Sequence, residues 1–200
     1  MDTLDQKLIY KALGVQAIAF AIYLVFTGVN TGITSISIVG ISYTSSALVK
    51  MENVGLILAG LVLAFSGAIL FRVKEKRIKV SGSLFIIAGI LAAVAAIIVL
   101  LNNGSQGVLA TFLLGIFIAS NTMAMPILGL SIIRTISSED NVLKYSTALY
   151  IITPILTVYG LLGLSLTGLV STTILYVESQ GLPEQAEKLT ETMEKVIPEQ

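Results

Sequence analysis

Arg72-Val73-Lys74-Glu75-Lys76-Arg77-Ile78-Lys79 puts five basic side chains into eight residues, with a long apolar stretch on each side. At the centre of a membrane helix each Lys or Arg costs about 2.5–3.5 kcal/mol. The run must therefore stay in water. An excess of Lys and Arg marks the cytoplasmic side of a membrane protein, so this run orients every other segment.

The flanking stretches, about 53–71 and 80–101, read as two transmembrane helices joined by this short basic loop at 72–79. Small residues recur at Gly60, Ala64 and Ala68 in the first, and at Ala88, Ala92 and Ala96 in the second, with Gly89 and Ala93 on an adjacent row. Such spacing lets helix backbones approach closely and predicts a tight hairpin.

Working outward, an apolar stretch at about 8–28 predicts an uncleaved first transmembrane helix. It lacks the strongly positive start of a secretory signal, and Lys11 can reach the interface from its first turn. Residues 29–52 are rich in Ser, Thr and β-branched residues, with Gly32 and Gly40 spaced along them. No clean helical period runs through them, so an extracytoplasmic loop or small strand pair is expected there. After the third helix, Asn102–Gly107 reads as a polar turn. A fourth helix follows at about 108–133 and stops at Arg134. A fifth apolar segment runs from about 145 to 176, longer than the roughly 30 Å hydrocarbon layer needs, so it must tilt, protrude or break. The last stretch, 177–200, carries six Glu against two Lys. Leu182, Ala186, Leu189, Met193 and Val196 fall on one face there, which predicts a short amphipathic helix after Pro183.

The expected fold is thus all-α: a polytopic membrane helix bundle of about five transmembrane helices, with the N-terminus inside and the C-terminus outside. Nine Lys and Arg then lie inside and three (Lys50, Lys188, Lys195) outside. Composition agrees. The 200 residues are 55 % hydrophobic and 12 % charged, with mean hydropathy +0.92, whereas soluble domains carry about 25 % charged residues. The expected setting is the cell membrane.

Several chemistries are excluded. Without Cys or His there is no disulfide or thiolate metal site, and the usual haem ligand, the commonest zinc ligand and the commonest acid–base catalyst are missing. With zero net charge no basic field attracts nucleic acid. No Asp or Glu lies within an apolar segment, which argues against a proton- or sodium-coupled pump. No catalytic, cofactor or metal site is expected.

The candidate intramembrane positions are Asn121 and Thr122, followed by Pro126, then Thr153, Pro154 and Thr157, with Gln16 as a weaker case. Proline removes an amide donor and frees a carbonyl four residues earlier. Counted from Arg134 and Lys144, Pro126 and Pro154 come to similar depths, as do Asn121 and Thr157. Paired breaks with polar groups near the midplane resemble the discontinuous helices of transporters; the plainer reading is one interhelical hydrogen bond and two local bends.

The expected role is that of a multi-pass protein without a catalytic centre: a structural or accessory subunit that contacts the bilayer and either other membrane subunits or further copies of itself. The alternatives are a small-solute channel or uncoupled carrier formed by oligomerisation around the fourth and fifth helices, and a membrane sensor.

Overall fold

The computed structural model describes residues 3–37, 46–105, 107–135, 141–155 and 165–177. Among these it is all-helical. In chain order the helices are α1 (Thr3–Ser37), α2 (Ser46–Phe71), α3 (Lys76–Leu101), α4 (Val108–Thr135) and α5 (Asn141–Ile152), followed by α6 (Ser165–Val177). Four carry spans long and apolar enough to cross a membrane: Leu4–Phe26, Val49–Phe71, Lys76–Leu101 and Val108–Arg134.

Consecutive helices pack as antiparallel neighbours: α1 on α2, α2 on α3 and α3 on α4, with α2–α3 the most extensive pair. The α2–α3 hairpin is closed by backbone, not by side chains. A Cβ added at Gly60 would sit 2.6 Å from the carbonyl oxygen of Gly89, and one at Gly82 2.7 Å from that of Gly67. The reciprocal additions at Gly89 and Gly67 meet the same partners' oxygens. Both pairs share one antiparallel register, so the two crossings of the hairpin are glycine on glycine. The expected tight hairpin is therefore present, but its face on α2 runs through Gly60, Ala64 and Gly67. Ala68 is exposed, because a step of three residues keeps Gly67 on the seam where a second step of four would leave it.

Serines tie the neighbouring pairs. The Ser66 hydroxyl donates to the Ala12 carbonyl across α1–α2 at 3.0 Å, and that of Ser81 to the Ala124 carbonyl across α3–α4 at 2.8 Å. At the end of α3, Asn103 (φ 55°) and Gly104 (φ 87°) enter the left-handed region that Asn and Gly tolerate best, and the Gly104 amide donates to Val99 at 2.8 Å. The polar turn stands where the sequence places it.

Three expectations are corrected. The irregular loop at 29–52 is largely helical: α1 continues to Ser37 and α2 starts at Ser46, while 38–45 lie outside the described residues. The helix penalty of Ser, Thr and β-branched residues is only tenths of a kcal/mol each, far less than unpaired amides cost near hydrocarbon. Next, the third helix starts at Lys76, so the basic loop shortens to 72–75 and Lys76, Arg77 and Lys79 join the first turn of α3.

The third correction concerns the single fifth helix at 145–176, which is two shorter helices. After Ile152 the chain tightens into a 3₁₀ turn at 153–155, where Pro154 cannot donate and disfavours helix at the residue before it. The two pieces run in opposite senses. α5 starts from the end of α4 that carries Arg134 and packs back along α4, with Ile151 against Gly129. α6 is antiparallel to α1: Gly168 faces Phe20 and Gly14 faces Tyr176. Since α1 leaves the basic end of the bundle, where Ser66 reaches Ala12, α6 returns toward it. A single fifth crossing would need both pieces to run the same way. The acidic tail at 178–200 lies outside the described residues.

Gly89→Val is expected to destabilise the protein by about 1–3 kcal/mol or more, since its side chain has to displace backbone, whereas Ala68→Val stays within about 0.5 kcal/mol. Denaturation of both variants in detergent, followed by loss of helical signal, checks the contrast.

Candidate functional site

Polar side chains inside an apolar bundle are costly unless paired, so the buried ones mark the places to examine. The only basic run is a surface feature. Arg72, Lys74, Lys76 and Arg77 are exposed and Lys79 is half-buried, while Val73 and Ile78 between them are fully buried and clamp the hairpin.

Deeper in, Gln16 of α1 is fully buried, and its Oε1 accepts a 2.7 Å hydrogen bond from the hydroxyl of Tyr150, also fully buried, on α5. The backbone of α5 packs on α4 and not on α1, so the long tyrosine side chain carries this link. Gly129 makes room for it, since a Cβ there would meet Ile151 and the Tyr150 ring. Among the described residues nothing bonds Gln16 Nε2 or Asn121 Oδ1.

The other sequence candidates are dispersed. Asn121 is buried and its Nδ2 donates to the Phe117 carbonyl of its own helix at 3.1 Å. Its bond stays within α4, and none joins it to the Gln16–Tyr150 pair among the described residues. Thr122 is exposed and donates to the Ile118 carbonyl. α4 passes through Pro126 as one helix, so the expected pair of breaks reduces to the one at Pro154. Thr153 is buried and donates to the Leu149 carbonyl at 2.8 Å. Thr157 lies outside the described residues.

Between α1, α2, α3, α4 and α6 is a cavity of about 30 Å³, lined by apolar groups such as Phe20, Leu56, Leu63 and Phe117, with Tyr23 and Ser165 as its polar members. A water needs about 10–15 Å³ by this measure, so the space suits one or two waters and no larger solute. Among the described residues no group of three acidic, His or Cys side chains is placed to hold a metal.

Tyr150 is the residue that sequence reading passed over. Its partner lies 134 positions away, and no local spacing links the two. Comparison with protein families, with curated proteins and with solved structures finds no match to this chain.

Tyr150→Phe leaves the Gln16 amide without its bond and is expected to cost about 0.6–1.7 kcal/mol, the range of such bonds in membranes. Gln16→Leu combined with Tyr150→Phe should recover much of that loss, because replacing both partners removes the unpaired group. A double-mutant cycle in detergent unfolding measures the coupling.

Proposed function

We propose that this protein is a non-catalytic subunit of a membrane assembly and docks through the outer face of α4. The observation that carries this reading is Gly115. Among the described residues, eight helical glycines, Gly60, Gly89 and Gly129 among them, have part of a neighbouring helix within 4 Å of where a Cβ would be, and Gly115 has nothing. A glycine in a helix interior costs about 0.5–1 kcal/mol relative to Ala, and elsewhere in this bundle close packing offsets that cost. At Gly115 no described part of this chain supplies that offset, which supports a contact from another chain.

The surrounding residues support the reading. Thr111, Gly115, Ala119 and Thr122 are exposed and recur at helical spacing on one face. Both threonine hydroxyls are already satisfied by carbonyls of their own helix, so the face is smooth and without unmet polar demand. Faces of small residues are where membrane helices associate. The runner-up is a pore or carrier for a small solute formed between copies around α4 and α5; since the cavity within one copy has room for water only, its path would have to lie between copies.

We further propose four complete crossings plus an α5–α6 hairpin that enters and leaves on the basic face, with that face cytoplasmic. With residues 178–200 on the same side as Lys7, eleven of the twelve Lys and Arg stand inside and Lys50 alone stands outside. That asymmetry is steeper than a fifth crossing gives, in keeping with the positive-inside rule.

Two experiments test these proposals. The chain has no Cys, so single-cysteine variants label cleanly. Gly115→Cys and Ala119→Cys carrying a benzophenone maleimide should cross-link in native membranes to a species of discrete mass, while Ile90→Cys on the exposed face of α3 should not. Equal yields at all three sites would overturn the docking face. For the topology, protease added to sealed cells should leave the glutamate-rich end intact until the membrane is opened; cutting in sealed cells would restore a fifth crossing.

A further inference from the structure

The seam between α3 and α4 opens, at its basic end, into a pocket of about 320 Å³ lined by Arg77, Val80, Ile127, Leu130, Ser131 and Arg134. We propose that this pocket binds an anionic phospholipid, with the headgroup phosphate held between Arg77 and Arg134.

The two arginines come from different helices. Arg77 is in the first turn of α3 and Arg134 in the last turn of α4, and the antiparallel packing brings both to one pocket. Among the described residues no carboxylate lines it. Two guanidinium groups at one pocket repel each other unless an anion stands between them, and their planar forks match phosphate oxygens in pairs. The pocket also adjoins the amino end of α3, whose unpaired amides and positive dipole favour an anion. That end lacks an acidic residue in its first turn, and Glu75 makes no side-chain cap there. Sequence has placed positive charge where a helix alone disfavours it, and a bound phosphate would relieve this.

The apolar residues identify the anion as a lipid. Val80 lies one turn inward from Arg77; Leu130 and Ile127 lie one and two turns inward from Arg134. At 1.5 Å per residue this places them about 5–10 Å below the charges. Val80 is 51 % and Leu130 49 % exposed, so the lower pocket opens to the side, toward hydrocarbon. The Ser131 hydroxyl donates back to the Ile127 carbonyl at 2.9 Å, which leaves the arginines as the main polar contacts. A charged upper end above an open apolar lower end follows the profile of a phospholipid; a free anion would gain nothing from the lower part. Basic pockets between membrane helices are recognised as headgroup sites on the same grounds.

The test uses the full chain, delipidated in uncharged detergent at about 0.15 M salt, where diffuse charge effects are screened beyond about 8 Å. Binding is followed by native mass spectrometry and by the shift of thermal unfolding. Phosphatidylglycerol should bind and stabilise, while phosphatidylcholine and inorganic phosphate should not. Arg77→Gln and Arg134→Gln should each weaken phosphatidylglycerol binding about tenfold, the scale of one charge-assisted hydrogen bond. Lys76→Gln makes the same change in net charge outside the pocket and should leave binding within about twofold, given the screening. Both arginines are exposed, so unchanged unfolding without lipid verifies that the variants fold. The proposal fails if Lys76→Gln weakens binding as much as the arginine variants do, if phosphatidylcholine binds equally well, or if inorganic phosphate gives the same shift and displaces the lipid.

Discussion

Contact between the backbones of α2 and α3 at two glycine pairs, Gly60 with Gly89 and Gly67 with Gly82, is the constraint on which the rest of the bundle depends. Lipid tails are as apolar as leucine, so burying side chains between helices gains little over leaving them in the bilayer. Close approach of many atoms is what remains, and only glycine removes the Cβ that would hold the backbones apart. Each of the four glycines weakens its own helix by about 0.5–1 kcal/mol, which dispersion along the seam has to exceed. With α2 and α3 fixed, α1 packs on α2 and α4 on α3, each anchored by a serine hydroxyl on a carbonyl.

The second organising rule is satisfaction of polar groups. Most buried hydroxyls bond to a carbonyl one turn back on their own helix, as Thr147, Thr153 and Thr172 do. Among the described residues, Ser66, Ser81 and Tyr150 reach a different helix and so shape the tertiary structure. Tyr150 matters most for the C-terminal half, because it connects α5 to α1 across a gap that their backbones do not close. The short helices α5 and α6 cannot each span hydrocarbon: α5, with 12 residues, is about 18 Å long. They are held from within the bundle, by Gly129 beneath α5 and by Gly14 and Phe20 against α6. Partial crossings are tolerated in membranes where protein surrounds them.

Two surfaces remain after the chain has satisfied itself: the smooth outer face of α4 and the two-arginine pocket at its basic end. Both lie on α4, which is also the least buried of the four long spans. A helix held by α3 and α5 with its remaining face exposed is suited to carrying contacts to lipid and to another chain.

Much of this was legible in the sequence. The basic run fixed the α2–α3 hairpin and its end of the bundle, since charge cannot enter hydrocarbon. Apolar length gave the four long spans, together with a fifth that is two shorter helices in the structure, and the small-residue spacing gave the seam apart from Ala68. Gln16 and Asn121 were recognisable as buried because a polar amide in an apolar run has no other place. A break in the overlong fifth segment was one of three ways open to it, with Pro154 as the marked place, but the extension of α1 and the return of α6 were not legible. Composition reports whether a segment prefers lipid, but a helix that turns back halfway and one that continues through have the same preference. Only the fit of Tyr176 over Gly14 and of Phe20 over Gly168 selects between them, and that fit joins residues about 150 positions apart. The sequence alone determined which segments are long and apolar enough to enter a membrane, through the free energy of transferring each residue. The tertiary structure decided how far they go and which groups meet, because those depend on shape complementarity between surfaces that no single segment contains.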